Sequence, residues 1–236
     1  MKETGLLINS IYRAIEGEGV LLGFPQVFVR LQGCHIGCLN CDSKDTWSFA
    51  PEFWMSMEEV LSTVEEQSYG KIMRVSVTGG DPLHPKHETG VLELIGRLKK
   101  RGYTVTIEAS GSRIVPSIFD LVDFVNFDFK TPSTGVTTRT DLVVELAQKY
   151  PGKYQIKSVV ADSADFEFVL SAKLRIEQQV KEKIVNWCLT PAYETGEEFP
   201  RQRFLDMIEL NLNNGGAFRF IGQQHKWIYG PDLKQV

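Results

Sequence analysis

Six short runs rich in Val, Ile, Phe and Tyr recur along the chain, and longer amphipathic stretches lie between most of them. The runs are Gln26–Leu31, Ile72–Thr78, Tyr103–Glu108, Asp123–Phe127, Tyr154–Val160 and Ile184–Leu189. Each has the length and β-branched content of a buried parallel strand. The intervening stretches Ser56–Gln67, Thr89–Lys100, Arg139–Tyr150, Ala164–Val180 and Arg201–Asn211 carry apolar residues at helical spacing, with Ser56 placed to cap the first. Strands alternating with helices predict βα units and a parallel sheet, either open or curled toward a barrel. Both arrangements gather functional loops at the C-terminal ends of the strands.

Composition narrows the field. With 42% hydrophobic residues, 236 residues can bury a full core without disulfides or structural metal. No repeat or linker divides the chain, so one domain over 1–236 is expected. A formal charge of −4 excludes a global basic field for nucleic acid. No run reaches the roughly 18 apolar residues of a membrane span. The opening MKETGLLINSIYRAIEGEG lacks the apolar stretch of a secretory leader, so a cytoplasmic location is expected.

Four cysteines are unusual in such a chain, because a reducing compartment does not sustain disulfides. Three of them, Cys34, Cys38 and Cys41, sit on one loop (33–43) directly after the first predicted strand, in the order C-x3-C-x2-C. Three thiolates there can meet three corners of an iron–sulfur cube and leave the fourth iron open. A zinc knuckle needs a fourth ligand from elsewhere, and His35 reaches the same metal only with strain. Buried structural cysteines are the remaining reading. Placed after the first strand of a βα array, the motif resembles that of radical S-adenosylmethionine (SAM) enzymes. The resemblance implies a [4Fe-4S] cluster, SAM on its open iron, and a 5′-deoxyadenosyl radical as oxidant. It also implies an incomplete (β/α)6 barrel.

Later strand ends agree. Val77-Thr78-Gly79-Gly80-Asp81-Pro82 is similar to the family's Gly-Gly-Glu-Pro turn, with Asp81 in place of Glu. Glu108 ends the third predicted strand, and Asp128-Phe129-Lys130 follows the fourth. Ile15-Glu16-Gly17-Glu18-Gly19, Phe28 to Cys34, Cys41-Asp42-Ser43 and Gln223-Gln224-His225-Lys226 together resemble one family within this group. That family is the 7-carboxy-7-deazaguanine synthases, and the likeness runs from Ser10 to about Gly230.

The resemblance implies a lyase-type ring contraction in queuosine and 7-deazapurine biosynthesis, a tRNA-modification pathway. 6-Carboxy-5,6,7,8-tetrahydropterin becomes 7-carboxy-7-deazaguanine with loss of ammonia, and SAM is regenerated. It implies the cluster on Cys34, Cys38 and Cys41, with Mg2+ on the Ser43 hydroxyl, a hard ion suited to an oxygen ligand. Ile15, Glu16, Gly17, Arg30 and Thr78 are expected at the substrate, with Arg30 gripping its carboxylate as a guanidinium fork does. His225 is a further substrate candidate. Asn40, Cys41, Asp42, Gly80, Asp128, Phe129 and Lys130 are expected at SAM, and Glu108 at the substrate or as an acid–base group. A homodimer and a flavodoxin- or ferredoxin-type electron donor are also implied.

Residues outside those motifs carry plainer expectations. His84 and His87 read as helix-start or surface residues, Cys188 as a core side chain, and Trp47–Trp54 as apolar cover for the cluster loop. The run Phe218–Ile221 reads as an edge strand, with His225 and Lys226 at the cavity mouth or in a dimer contact. Two competing functions stay open. One is a glycyl-radical-enzyme activating protein, which shares the cysteine spacing. The other is a non-catalytic iron–sulfur or zinc-binding module.

Overall fold

The computed structural model describes residues 4–236, so the first three residues of the expected domain lie outside it. Among the described residues nine strands form a single sheet: β1 (Gly5–Ile15), β2 (Pro25–Leu31), β3 (Trp54–Ser56), β4 (Arg74–Gly79), β5 (Thr104–Ala109), β6 (Phe124–Asp128), β7 (Tyr154–Val160), β8 (Trp187–Pro191) and β9 (Arg219–Phe220). Their order is β3-β1-β2-β4-β5-β6-β7-β8-β9. From β2 to β9 every pairing is parallel, whereas β1 runs antiparallel to β2 and β3. β3 and β9 do not pair with each other, so the sheet is an open, incomplete barrel as expected. The six runs legible in sequence are β2 and β4–β8.

The helices are α1 (Met57–Ser68), α2 (Pro85–Lys100), α3 (Pro116–Leu121), α4 (Thr140–Lys149), α5 (Ser163–Val180), α6 (Arg201–Asn213) and α7 (Gln224–Tyr229). At α1 the Ser56 hydroxyl accepts from the Glu59 amide, and the Glu59 carboxylate accepts from the Ser56 amide. That reciprocal cap fixes where the helix begins. α2 begins at Pro85, before the expected Thr89, because proline is preorganised for the first helical turn. His84 caps it, with Nδ1 accepting from the Lys86 amide at 3.1 Å. His87 departs from the surface expectation: it is only 2% exposed. It lies in the first turn of α2 but packs inward, stacked on Phe49 with ring centroids 5.6 Å apart.

Strand alternation sorts the residues by chemistry. Val27, Val29, Val75, Val77, Val105, Ile107, Val125, Phe127 and Ile156 are fully buried in the core cluster that the helices share. Full burial of such side chains stabilises by about 1.5–3 kcal/mol each. The alternate positions Phe28, Arg30, Thr78, Glu108, Asp128 and Lys157 all line one cavity on the opposite face. The period of two therefore separates a face that holds the fold from a face that can bind.

Candidate active site

Parallel strands present their C-terminal ends to a cavity of about 750 Å³. That volume falls within the roughly 300–1,000 Å³ usual for ligand pockets. All of the expected site residues line it, from Ile15, Glu16 and Gly17 through the cysteine loop to Glu108, Asp128, Phe129, Lys130 and His225. Expected positions more than 200 residues apart thus meet in one space.

The cysteine loop is fixed by backbone bonds at both ends. Gly33 and Cys34 donate to the carbonyls of Thr46 and Trp47, and Leu39 donates to Thr134. Cys38 is buried, whereas Cys34 and Cys41 are partly open. Amides of Ile36 and Ser43 each lie 3.4 Å from the sulfurs of Cys34 and Cys41. Burial pushes the Cys34 and Cys38 thiols up from their ordinary value, so an electropositive partner is needed to hold them as thiolates. Among the described residues no group of three or more His, Cys, Asp or Glu is gathered tightly enough for a single metal ion. Ligands to a cube bind three separate irons and stand farther apart, so three sulfurs around one cavity fit a cluster better than a mononuclear zinc.

Beside this loop the β4 end packs backbone on backbone. Gly79 has φ +126°, and a Cβ at Gly80 would collide with the Gly33 carbonyl. Here glycine permits contact between the two loops, a firmer requirement than ligand approach alone. Asp81, next in the chain, is fully buried and absent from the cavity wall. Its Oδ1 accepts from the Leu83 amide and the Ser110 hydroxyl, both at 3.2 Å, so it pins the turn.

Arg30 donates to the Tyr12 hydroxyl at 3.1 Å and to the Ser43 hydroxyl at 3.3 Å. Burial opposes its charge, but Tyr12, Asp42 and Asp45 hold its pKa above the ordinary value. Ser43 in turn donates to Asp42 at 2.9 Å. Its hydroxyl oxygen thus sits beside a carboxylate at the cavity wall, a donor set of the hard kind that Mg2+ takes.

Another part of the cavity wall is acidic. Glu16 accepts from Gln26 Nε2 at 2.7 Å and from the Glu18 amide at 3.1 Å. Burial and the neighbouring Glu18 raise its pKa. Glu108 accepts from Asn126, and burial together with Glu16 pushes its pKa up to about 8. For Glu18 burial works the same way, but Lys157, His225 and the bond from Gln223 outweigh it and hold the group ionised. One wall therefore carries an ionised carboxylate and a carboxyl that is protonated at neutral pH.

A likeness to known proteins bears directly on this cavity. A family described as a 4Fe-4S single cluster domain matches residues 15–120. The 7-carboxy-7-deazaguanine synthase of Koribacter versatilis is 30% identical over 236 residues, covering 97% of this chain and 99% of the relative. The chain belongs to the 7-carboxy-7-deazaguanine synthase family. The corresponding synthase of Chlorobaculum tepidum is 31% identical over 242 residues, covering 99% of both chains. A crystal structure of QueE from Escherichia coli matches with a TM-score of 0.68, covering 94% of this chain and 95% of that one. At 24% identity that match speaks to the fold alone.

Within this 7-carboxy-7-deazaguanine synthase fold several expectations sharpen or change. Phe129 is only 1% exposed and its ring packs on Trp187 and Phe168, so this residue meets the cavity through its backbone alone. His225 lies against Gly17, where any Cβ would strike the imidazole. Lys226 also lines the cavity, where it donates to the Tyr193 carbonyl at 2.7 Å and lies 3.8 Å from Asp42. In Trp47–Trp54 the cover is local: Trp47 lines the cavity and Phe49 lies 2.5 Å from a Cβ built on Gly33, whereas Trp54 opens an edge strand and is half exposed. Cys188 is buried, as expected.

Neither Glu18 nor Lys157 was assigned a role from the sequence, yet both line the cavity. Glu18 and Lys157 form an ion pair at 2.5 Å, and Lys157 lies 3.3 Å from Asp128. Lysine on a strand, alternating with the apolar Ile156, was the available signal. The segment Glu16–Val20 is also seated by Gln155, which accepts from the Val20 amide at 2.6 Å, and by the Gln224 amide, which donates to the Gly17 carbonyl at 2.9 Å. The start and the end of the chain are thereby locked onto β7.

Proposed function

We propose that this chain converts 6-carboxy-5,6,7,8-tetrahydropterin to 7-carboxy-7-deazaguanine and ammonia, within queuosine or related 7-deazapurine biosynthesis. The observation that carries the reading is one cavity flanked by a three-cysteine loop, a buried arginine fork and an acidic wall. When bound, a [4Fe-4S] cluster on Cys34, Cys38 and Cys41, with SAM on its open iron, supplies one-electron chemistry at C6 of the substrate.

The chain's own groups then bind and orient. Arg30 takes the substrate carboxylate in a two-point grip, and Ser43 offers its oxygen to a Mg2+ beside that carboxylate. Across the cavity an aminopyrimidinone edge presents both N–H donors and a carbonyl acceptor. Ionised Glu18 accepts from the donors, and protonated Glu108 donates to the acceptor. Glu16 is occupied by Gln26 and by the Glu18 amide, so Ile15, Glu16 and Gly17 meet substrate mainly through backbone. Thr78 and His225 complete the substrate wall. Asn40, Cys41, Asp42, Gly80, Asp128, Lys130 and the Phe129 backbone surround SAM.

In this reading residues 1–236 are a single radical SAM domain that acts as a homodimer in the cytoplasm. A flavodoxin- or ferredoxin-type protein reduces its cluster. No helix among the described residues is long and apolar enough to cross a membrane. No basic face for nucleic acid is needed, because the substrate is a small acid.

Anaerobic incubation of cluster-reconstituted protein with SAM, reductant and the pterin tests the function. Formation of 7-carboxy-7-deazaguanine with little net loss of SAM is expected. SAM cleavage without that product would favour a glycyl-radical-enzyme activator, and no cleavage at all a non-catalytic module. Ser43→Ala should slow turnover and blunt its Mg2+ response while iron content stays unchanged; an unaltered Mg2+ response refutes that ligand.

A further inference from the structure

Lys157 occupies an unusual place in the cavity. It sits on the inner face of β7, paired in register with Asp128 on β6 and Cys188 on β8. Its side chain is 13% exposed, yet it carries a full charge between two carboxylates from distant segments. Nζ lies 2.5 Å from Glu18 Oε2 and 3.3 Å from Asp128 Oδ1. Each carboxylate keeps its second oxygen for another partner. Glu18 Oε1 accepts from Gln223 Nε2 at 2.6 Å, and Asp128 Oδ2 from Lys130 Nζ at 2.6 Å. Four charged groups, Glu18–Lys157–Asp128–Lys130, therefore run in a chain along the cavity wall, with the Gln223 amide bonded to its Glu18 end.

The two ends of that chain face different ligands. Glu18 belongs to the loop expected at the pterin, and Asp128 with Lys130 to the segment expected at SAM. A mostly buried ammonium shared by two carboxylates ties them together: drawing it toward one lengthens its bond to the other, and with 18% and 25% of those side chains exposed the lost bond is only partly replaced by water. Either ligand, on engaging its own carboxylate, settles the whole network into one arrangement. The second ligand then meets walls already in place and loses less conformational freedom on binding.

We propose that Lys157 is a positioning residue that couples the two subsites, so that pterin and SAM each raise the other's affinity. The inference rests on the assignment of the cavity to those two molecules. It makes productive radical chemistry conditional on substrate: the SAM side is fully ordered only when the pterin side is occupied.

Calorimetric titration of cluster-reconstituted protein with SAM, with and without saturating 6-carboxytetrahydropterin, reads the coupling directly. In the native chain the pterin should tighten SAM binding by roughly 5- to 150-fold, the usual span of coupling between sites. Lys157→Met should bring that factor to within about twofold of unity. Because Lys157→Met strands two buried carboxylates, Glu18→Gln/Lys157→Met is measured alongside; it removes the most closely paired carboxylate together with the cation and should also show no coupling. Lys157→Arg retains the charge and should restore part of the effect.

Unchanged coupling in both methionine variants, or a lowered melting temperature with coupling retained, would make Lys157 merely structural and overturn the proposal. Independent binding of both molecules to the native chain overturns it as well. Failure of the native chain to bind the pterin at all overturns the function along with it.

Discussion

On β6, Val125 and Phe127 point to the helices, and Asn126 and Asp128 point to the other side. The same division holds on β4, where Val75 and Val77 are buried among helices and Thr78 reaches the cavity. The helix side is apolar and close-packed, with residues such as Phe127 and Trp187 fully buried. The cavity side keeps Arg30, Glu108, Asp128 and Lys157 partly or wholly desolvated, and balances them by one another. One face stabilises because nothing on it needs water. The other is costly to bury and is sustained only by partners, which is why a ligand can exchange into it.

The contrast breaks most visibly on the helix side. Phe127→Ala leaves a cavity in the close-packed layer and should cost about 3–5 kcal/mol, measured by denaturant unfolding. Its remaining folded fraction should bind substrate normally.

Glu108 sets the opposite case through pH. Burial and Glu16 raise its folded pKa to about 8 from an ordinary 4.5. The folded state then binds more protons than the unfolded state between those values, so this group's stabilising protonation is fully present below 4.5 and lost as pH rises through 8. Glu108→Gln should therefore gain stability relative to the native chain between pH 5 and pH 9, on the order of 3 kcal/mol. Parallel pH–stability curves for the two proteins would show that Glu108 is ionised throughout.

A subtler cut at the cavity side is Arg30→Lys. It keeps the charge but loses the planar fork, and should raise the KM for the pterin by roughly 10- to 100-fold with iron content unchanged. An unchanged KM removes Arg30 from the substrate carboxylate. Smallest of all is Cys188→Ala. Its thiol is buried beside Gln155, with its pKa pushed up to about 11 by burial, so it stays protonated. The change should cost about 1 kcal/mol and leave cluster iron intact, whereas loss of iron would make it a ligand.

Much of the helix side was legible in sequence, because β-branched runs and helical spacing report burial directly. β2 and β4–β8 were found within a few residues, and the cysteine loop announced itself by spacing. β1 escaped because it alternates polar and apolar residues and is only half buried, so it has no continuous apolar run. β3 and β9 span three and two residues, too few to carry a pattern. Within the site, spacing showed which residues stand at strand ends but not which side chains turn inward. Phe129 was therefore expected at the ligand, although packing sends its ring into the core. Lys157 was missed for the reverse reason. It lies mid-strand, where only the alternation Gln155-Ile156-Lys157-Ser158 signals an inward charge, and its partner Glu18 is 139 residues away.

The most direct test of this division compares one residue from each side of the sheet under identical conditions. Melting temperature and pterin affinity, with SAM present, would be measured for Glu108→Met, which removes the donor, and Phe127→Leu. The predicted result is a crossed pattern: Glu108→Met binds the pterin more weakly with little loss of melting temperature, and Phe127→Leu melts lower with affinity unchanged. If both variants lose stability and affinity together, the two faces are not separate in function and the division is wrong.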